Sequence, residues 1–202
     1  MKTIINVGRS FGSGGGYVGQ AVAGKLGIPF YDNELLSKAA QESGYSPSLF
    51  EGGEKKRSIF SVSSFFASGR MSYLDNTYMN DDVLFKAQSE VIRAIAEKGD
   101  AVIIGRCADY ILRDLPCLNV FVTGPEEYRI SRIVESEGIT PEEAEKLIRK
   151  KDHIREAYYN YYTLGSWGSA SNYHLSIDSS VLGIEGTADY IIEFGRKAGL
   201  VK

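Results

Sequence analysis

Nine consecutive residues near the start of the chain, Gly8-Arg9-Ser10-Phe11-Gly12-Ser13-Gly14-Gly15-Gly16, have the types and spacing to hold an anion. They stand between a β-rich run and the helically spaced Val18, Ala21, Val22 and Leu26. Wrapping a phosphate requires backbone N–H groups turned inward and a helix N-terminus aimed at the charge, a path that Cβ atoms obstruct. Three readings fit these residues. In the first they form a P-loop, and the backbone of Gly12, Ser13, Gly14, Gly15 and Gly16 holds nucleotide phosphates. Aligned with G-x-x-x-x-G-K-[ST], the chain has Gly15 at the lysine, Gly16 at the hydroxyl position and Arg9 at the first glycine. A lysine there neutralises β/γ-phosphate charge, so Arg9, whose side chain is expected to be partly exposed, is the candidate substitute. Lysine placed at Gly15 is expected to meet an unfavourable φ. In the second reading Gly14-x-Gly16-x-x-Gly19 is a dinucleotide fingerprint with Asp32 as its ribose-binding acid. Its first glycine then comes six residues after Gly8, where the strand is expected to end and the fingerprint to begin. The third reading is a turn without a ligand.

Other residues could complete a phosphate site. Asp32 closes a second strand-like run, where it could hold Mg2+ through water or accept a proton from an acceptor oxygen. It could equally cap the next helix. Gly105-Arg106 closes a third such run; arginine suits bidentate phosphate contact and glycine permits close approach. Arg129 and Arg132 share a helix face, and Arg149, Lys150, Lys151 and Arg155 follow on a longer helix. Such a run is ordinarily a solvated face. Set across a phosphate crevice, it is what a phosphoryl-transfer lid needs. The tyrosines at 158, 159, 161 and 162 suit packing for at least two of their number, with base stacking as the alternative. Trp167 could pin the lid.

These residues need elements to position them, and the pattern supplies an alternation of strands and helices. Strands are expected over residues 3–7, 28–31, 101–104, 119–123 and 173–178. Helices are expected after the glycine loop, after residue 32, over 83–98, over 108–112, from the Thr140-Pro141-Glu142-Glu143 capping box, and over 184–197. The expected fold class is α/β: three α/β/α layers around a five-stranded, mainly parallel sheet. Residues 1–202 form one domain, with an insertion at about 45–82 and a helical lid at about 126–170.

Bulk properties narrow the function. A net charge of −3, from 23 basic and 26 acidic residues, argues against an extended nucleic-acid surface. Two cysteines and two histidines are too few for a disulfide framework or a Cys/His metal centre. No stretch reaches the ~20 apolar residues that span a bilayer, so a cytoplasmic protein without a membrane partner is expected.

On these motifs the chain resembles the cytidylate-kinase-like family of P-loop kinases. The resemblance rests on Arg9-Ser10-Phe11-Gly12-Ser13-Gly14-Gly15, on Leu26-Gly27-Ile28-Pro29-Phe30-Tyr31-Asp32 and on Val102-Ile103-Ile104-Gly105-Arg106-Cys107-Ala108-Asp109. It continues through Tyr158-Tyr159-Asn160-Tyr161-Tyr162-Thr163, Trp167-Gly168 and Asn172-Tyr173. It implies a nucleoside-monophosphate-kinase fold, ATP with Mg2+, and a small phosphorylated acceptor such as CMP. The family's own glycine loop is similar in lacking the lysine. True cytidylate kinases keep that lysine and place aspartate after the Gly-Arg pair, where this chain has Cys107. Under this reading Arg9, Asp32, Arg129, Arg132 and Arg155 serve the transfer, and Asp32 and Arg106 serve the acceptor. A catalytically inactive nucleotide-binding regulatory module and a dinucleotide-binding oxidoreductase are the alternatives.

Overall fold

The protein is described here by a computed structural model covering residues 2–36 and 74–202. Five strands form its sheet: β1 (Ile4–Arg9), β2 (Phe30–Tyr31), β3 (Ala101–Ile104), β4 (Leu118–Thr123) and β5 (Leu175–Asp178). Their order is β2-β3-β1-β4-β5, and every neighbouring pair is parallel. Parallel strands covered on both faces read as unbroken apolar runs, which is why Ala101-Val102-Ile103-Ile104 lacks polar alternation.

Alternate residues supply the two faces. Ile5, Val7, Val102, Ile104, Leu118, Val120 and Val122 pack against Val18 and Val22 of α1 (Gly15–Leu26). The same cluster takes in Ala188, Ile191 and Ile192 of the last helix (Ser179–Lys197). On the opposite face Ile4, Ala101 and Ile103 meet Leu84, Val91 and Ile92 of α2 (Leu74–Lys98) and Ala108 and Ile111 of α3 (Ala108–Ile111). A third, smaller core of Ile133, Ala144 and Ile148 joins α4 (Glu126–Glu137) to α5 (Pro141–Thr163), with Phe11 of the glycine loop packed against it. The last helix, α6, is kinked at Gly183, whose φ of 65° and ψ of −176° leave the helical region.

Local chemistry accounts for the ends of the lid helices. Thr140 accepts from the Glu143 amide and Glu143 reaches back to the Thr140 amide, so the expected capping box is formed with Pro141 at the first helical position. Several boundaries differ from expectation, the starts of β2 (Phe30, expected at 28) and β5 (Leu175, expected at 173) among them. β1 continues through Gly8 and Arg9, which pair with Phe121 and Val122, so Arg9 is a strand residue and the loop begins at Ser10. α2 begins at Leu74, because its first turns, Leu-Asp-Asn-Thr-Tyr-Met-Asn-Asp-Asp, are too polar to show a helical period. Residues 74–82 are therefore helical and continuous with the helix expected over 83–98. The remainder of the expected insertion, and Ala39, Ala40 and Gly44 of the helix expected after residue 32, lie outside the described residues. α6 starts at Ser179; the expected 184–197 is the part beyond its kink.

Because α4 and α5 share a core apart from the sheet, they can loosen locally. Ile148→Ala removes a side chain that is 1% exposed. It is expected to speed amide exchange in α4 and the first half of α5 well before exchange in β1, β3 and β4, as hydrogen-exchange mass spectrometry would read.

Candidate functional site

The loop that follows β1 is held from inside by hydroxyls. Ser13, fully buried, donates from Oγ to the Ser10 carbonyl (2.9 Å) and accepts from the Gly15 amide (3.3 Å). Ser179 Oγ lies 2.6 Å from the Ser13 carbonyl and 3.0 Å from that of Thr123, tying the loop to the start of α6. Gly14 N-caps α1 with φ 77° and no side-chain cap, and the first helical bond runs from Val18 N to Gly14 O. The amides of the first turn therefore have no acceptor within the helix and face the crevice at the carboxyl ends of β1 and β3, the place where open α/β sheets bind ligands.

Two lid helices grip this loop from outside. Asp152 of α5 accepts the Phe11 amide (2.7 Å), and Arg129 of α4 donates to the Phe11 carbonyl (3.2 Å) and to the Asp152 carboxylate (2.6 Å). Arg155 donates to the Arg9 carbonyl (3.2 Å) with its guanidinium 5.3 Å from the centre of the Phe11 ring. Arg132 faces the start of α1: a Cβ built on Gly14 would lie 3.2 Å from its Nη2, and the Tyr17 and Tyr128 rings lie 5.8 and 5.7 Å from its guanidinium. Arg129, Arg132 and Arg155 thus all reach the loop. Arg149 does not; it is 69% exposed and pairs with Glu145 and Glu126 on the outer surface, so the basic run divides between the two faces of α5.

On the other side of the crevice, β3 ends in an unusual turn. Gly105, Arg106 and Cys107 have φ values of 68°, 54° and 56°, three left-handed residues in succession. Non-glycine residues there cost about 1–2 kcal/mol each, and strain of this kind collects at functional sites. The turn aims Arg106 across the Tyr158 ring, 5.3 Å from its centre. It is backed by α3, where burial raises the pKa of Asp109, which accepts from the Tyr159 hydroxyl at 2.7 Å. Cys107, its thiol pushed up to about 12 by burial, and Cys117, pushed up to about 11, are not thiolates at neutral pH.

Arg9 lies between the two sides. Although the residue keeps some exposure, its guanidinium is enclosed deeply enough that burial, then Arg155, then Arg106, lower its pKa to about 9, against the opposing charge of Asp32. The expected partial exposure of Arg9 is met, and its side chain runs past Gly15 and beneath the loop toward Gly105. Asp32 caps the helical turn at 33–36, accepting the Leu35 amide at 3.0 Å. Among the tyrosines, Tyr159 is buried and Tyr162 stacks on Phe85 at 3.9 Å, as packing requires, whereas Tyr161 is exposed. Trp167 sits edge-on to Phe121, its amide held by Asn160. Sequence reasoning missed Asp152 and Ser179: the first is an acid inside a basic run, the second one serine among many.

For a nucleotide with Mg2+, the glycine cradle and its amides fit the phosphates. No cluster of three or more metal-ligating side chains stands among the described residues, and Gly16 offers no hydroxyl. The ion would be carried by the phosphates, with Asp32 as the carboxylate able to meet it through water. No helix among the described residues is long and apolar enough to cross a membrane.

A parallel sheet of this order, with a glycine loop after the central strand and a helical lid over it, is the fold of the small P-loop kinases. Two shikimate kinases share it: that of Bacteroides thetaiotaomicron, at TM-score 0.57 and 14% identity over 97% of this chain and 99% of the other; and that of Acinetobacter baumannii, solved with shikimate, at 0.55 and 14% over 98% and 94%. A protein from Eubacterium ventriosum is more similar, at TM-score 0.72 and 27% identity over 98% and 99%. The chain belongs to the cytidylate kinase-like family, whose sequence profile matches residues 4–181. A cytidylate kinase from Aeropyrum pernix is 28% identical over 107 residues, which make up 52% of this chain and 62% of that protein.

If the left-handed turn exists to present Arg106, relaxing it should separate stability from function. Arg106→Gly is expected to leave the melting temperature unchanged or raise it by the equivalent of up to about 1 kcal/mol. Phosphate affinity, measured by calorimetry on the same samples, should fall.

Proposed function

We propose that the protein transfers the γ-phosphoryl group of ATP, with Mg2+, to a small phosphorylated acceptor, a nucleoside monophosphate such as CMP. The observation that carries this reading is the convergence of Arg9, Arg106, Arg132 and Arg155 on one crevice beside the glycine loop, in a chain of the cytidylate kinase-like family. The backbone of Gly12, Ser13, Gly14, Gly15 and Gly16 cradles the donor phosphates, with the Ser13 and Gly15 amides bonded inside the loop to Ser10 O and Ser13 Oγ. Arg132, at the start of α1, stabilises charge on them, and Arg106 binds the acceptor phosphate. Arg129, bonded to Asp152 and to the Phe11 carbonyl, positions the loop and does not touch the transferring group. Bound Mg2+ supplies charge neutralisation across the β and γ oxygens. Asp32, at the crevice, orients the acceptor hydroxyl or an ion-bound water. Excluding bulk water beneath the lid strengthens each of these interactions. The family relation and the proposed nucleotide substrates support a cytoplasmic enzyme.

The test is turnover of Mg-ATP across a panel of nucleosides and nucleoside monophosphates. ADP formation that depends on a monophosphate is the expected result. ATP binding without turnover across the whole panel would instead make the protein a nucleotide-binding regulatory module. Asp32→Asn keeps a competent helix cap, so it should lower kcat by about 10²-fold or more while the melting temperature barely moves. Equal loss of both would leave Asp32 as a cap alone.

A further inference from the structure

We infer that Arg9 is the cation that meets the phosphoryl group in transit, delivered beneath the glycine loop through a slot that glycine at positions 15 and 105 leaves open. The inference deepens the phosphoryl-transfer reading of this crevice and rests on it.

The course of the side chain is fixed at both ends. Arg9 closes β1, paired with Val122, and Arg155 holds its carbonyl. At the root, a Cβ built on Gly15 would lie 2.5 Å from Arg9 Cβ and 3.2 Å from Val122 Cβ. At the tip, a Cβ on Gly105 would lie 2.0 Å from Arg9 Nη1. Both sites are too close for a real Cβ beside Arg9 as it stands; at Gly15 the nearby groups belong to the rigid strand ends, whereas at Gly105 the guanidinium would have to swing aside. The guanidinium therefore passes under the loop and ends over Gly105, next to the turn that carries Arg106. A P-loop lysine would instead rise from position 15, and here it would collide with Arg9. Gly15 does not have a positive φ, so the expected objection to lysine on backbone grounds is replaced by a steric one.

The electrostatics of the spot call for an anion. Burial and the charges of Arg155 and Arg106 depress the guanidinium's affinity for its proton, and Asp32 alone opposes them, yet at neutral pH Arg9 stays charged. Among the described residues no carboxylate lies within ion-pair distance of it. A guanidinium largely withdrawn from water and with no carboxylate at ion-pair distance is stabilised by an anion, and it presents planar donors that match phosphate oxygens. A phosphoryl group between the loop amides and Arg106 would supply the missing charge.

The experiment is titration of the full chain with inorganic pyrophosphate at pH 7 by calorimetry, for the wild type, Arg9→Gln, Arg9→Lys, Gly105→Ala and the double variant Arg9→Gln/Gly105→Ala. Melting curves check that each is folded. Arg9→Gln is expected to weaken pyrophosphate binding by about tenfold or more, without lowering the melting temperature, and Arg9→Lys to restore part of the loss. Gly105→Ala should weaken binding about as much in the wild type, but by less than about threefold once Arg9 is glutamine, because no guanidinium is left to displace. Unchanged affinity in Arg9→Gln overturns the inference. So does an equal loss from Gly105→Ala in both backgrounds. With an acceptor found in the turnover panel, Arg9→Gln should cut kcat by about 10²-fold or more, a larger change than any rise in the KM for ATP. Normal kcat in Arg9→Gln sinks the inference and leaves the kinase reading intact. Arg9-dependent pyrophosphate binding in a wild type that turns over no acceptor sinks the kinase reading, and with it the role in transfer.

Discussion

One stripe along α5 sets the geometry of the crevice. Ile148, Asp152, Arg155, Tyr159 and Tyr162 recur at helical spacing and meet five different neighbours in order. Ile148 fills the lid core; Asp152 takes the Phe11 amide; Arg155 takes the Arg9 carbonyl; Tyr159 takes Asp109 behind the left-handed turn; Tyr162 stacks on Phe85 of α2. A single rigid rod thereby fixes the glycine loop, the end of β1 and the Gly105–Arg106 turn relative to one another. Transfer chemistry depends on separations held to fractions of an ångström, and one helix with five attachments supplies them more firmly than separate loops could.

The grip on Phe11 owes its value to orientation more than to energy. The Arg129–Asp152 pair is 15% and 19% exposed, between the exposed pairs that contribute about 0–1 kcal/mol and the buried ones whose desolvation offsets their attraction. Arg129 Nε is buried with no hydrogen-bond partner, which further limits the net gain. What the pair does is satisfy both backbone polar groups of one residue at once, fixing the two peptide planes that flank Phe11. It also commits Arg129 to the loop and to Asp152, while Arg132 and Arg155 of the same pair of helices meet the loop elsewhere.

The sequence made the sheet, the loop and the capping box legible because each rests on local rules: β-branched runs, glycine between strand and helix, Thr-Pro-Glu-Glu at a helix start. Of the six arginines it singles out, those at 9, 106, 129, 132 and 155 lie at the glycine loop or the crevice beside it, and Arg149 faces outward. What it concealed was their division of labour. Asp152 lies in a basic run that reads as a solvated face, and only the fold shows that one side of α5 turns Arg149 outward while the other turns Asp152 and Arg155 to the loop. The same holds for Arg9, because nothing in a linear motif says that glycines 90 residues apart, at 15 and 105, border one side chain. The polar start of α2 was hidden for a different reason: helix without an apolar face leaves no period to detect.

The absent lysine acquires a physical explanation from these contacts. A P-loop needs positive charge near the donor phosphates, and a chain can bring it from the start of the helix or from the end of the strand. Using the helix requires room for a Cβ at position 15; using the strand requires that this room be empty, because Arg9 leaves β1 through the same space. The two arrangements exclude each other sterically, so Gly15 is the counterpart of Arg9 and not a lost residue. The strand route also changes where the charge arrives. A lysine on α1 lies over the donor phosphates, whereas Arg9 emerges over Gly105, against the side of the crevice that Arg106 occupies. Under the proposed role, a bound phosphate would offset the charges of Arg155 and Arg106 that bear on the Arg9 guanidinium.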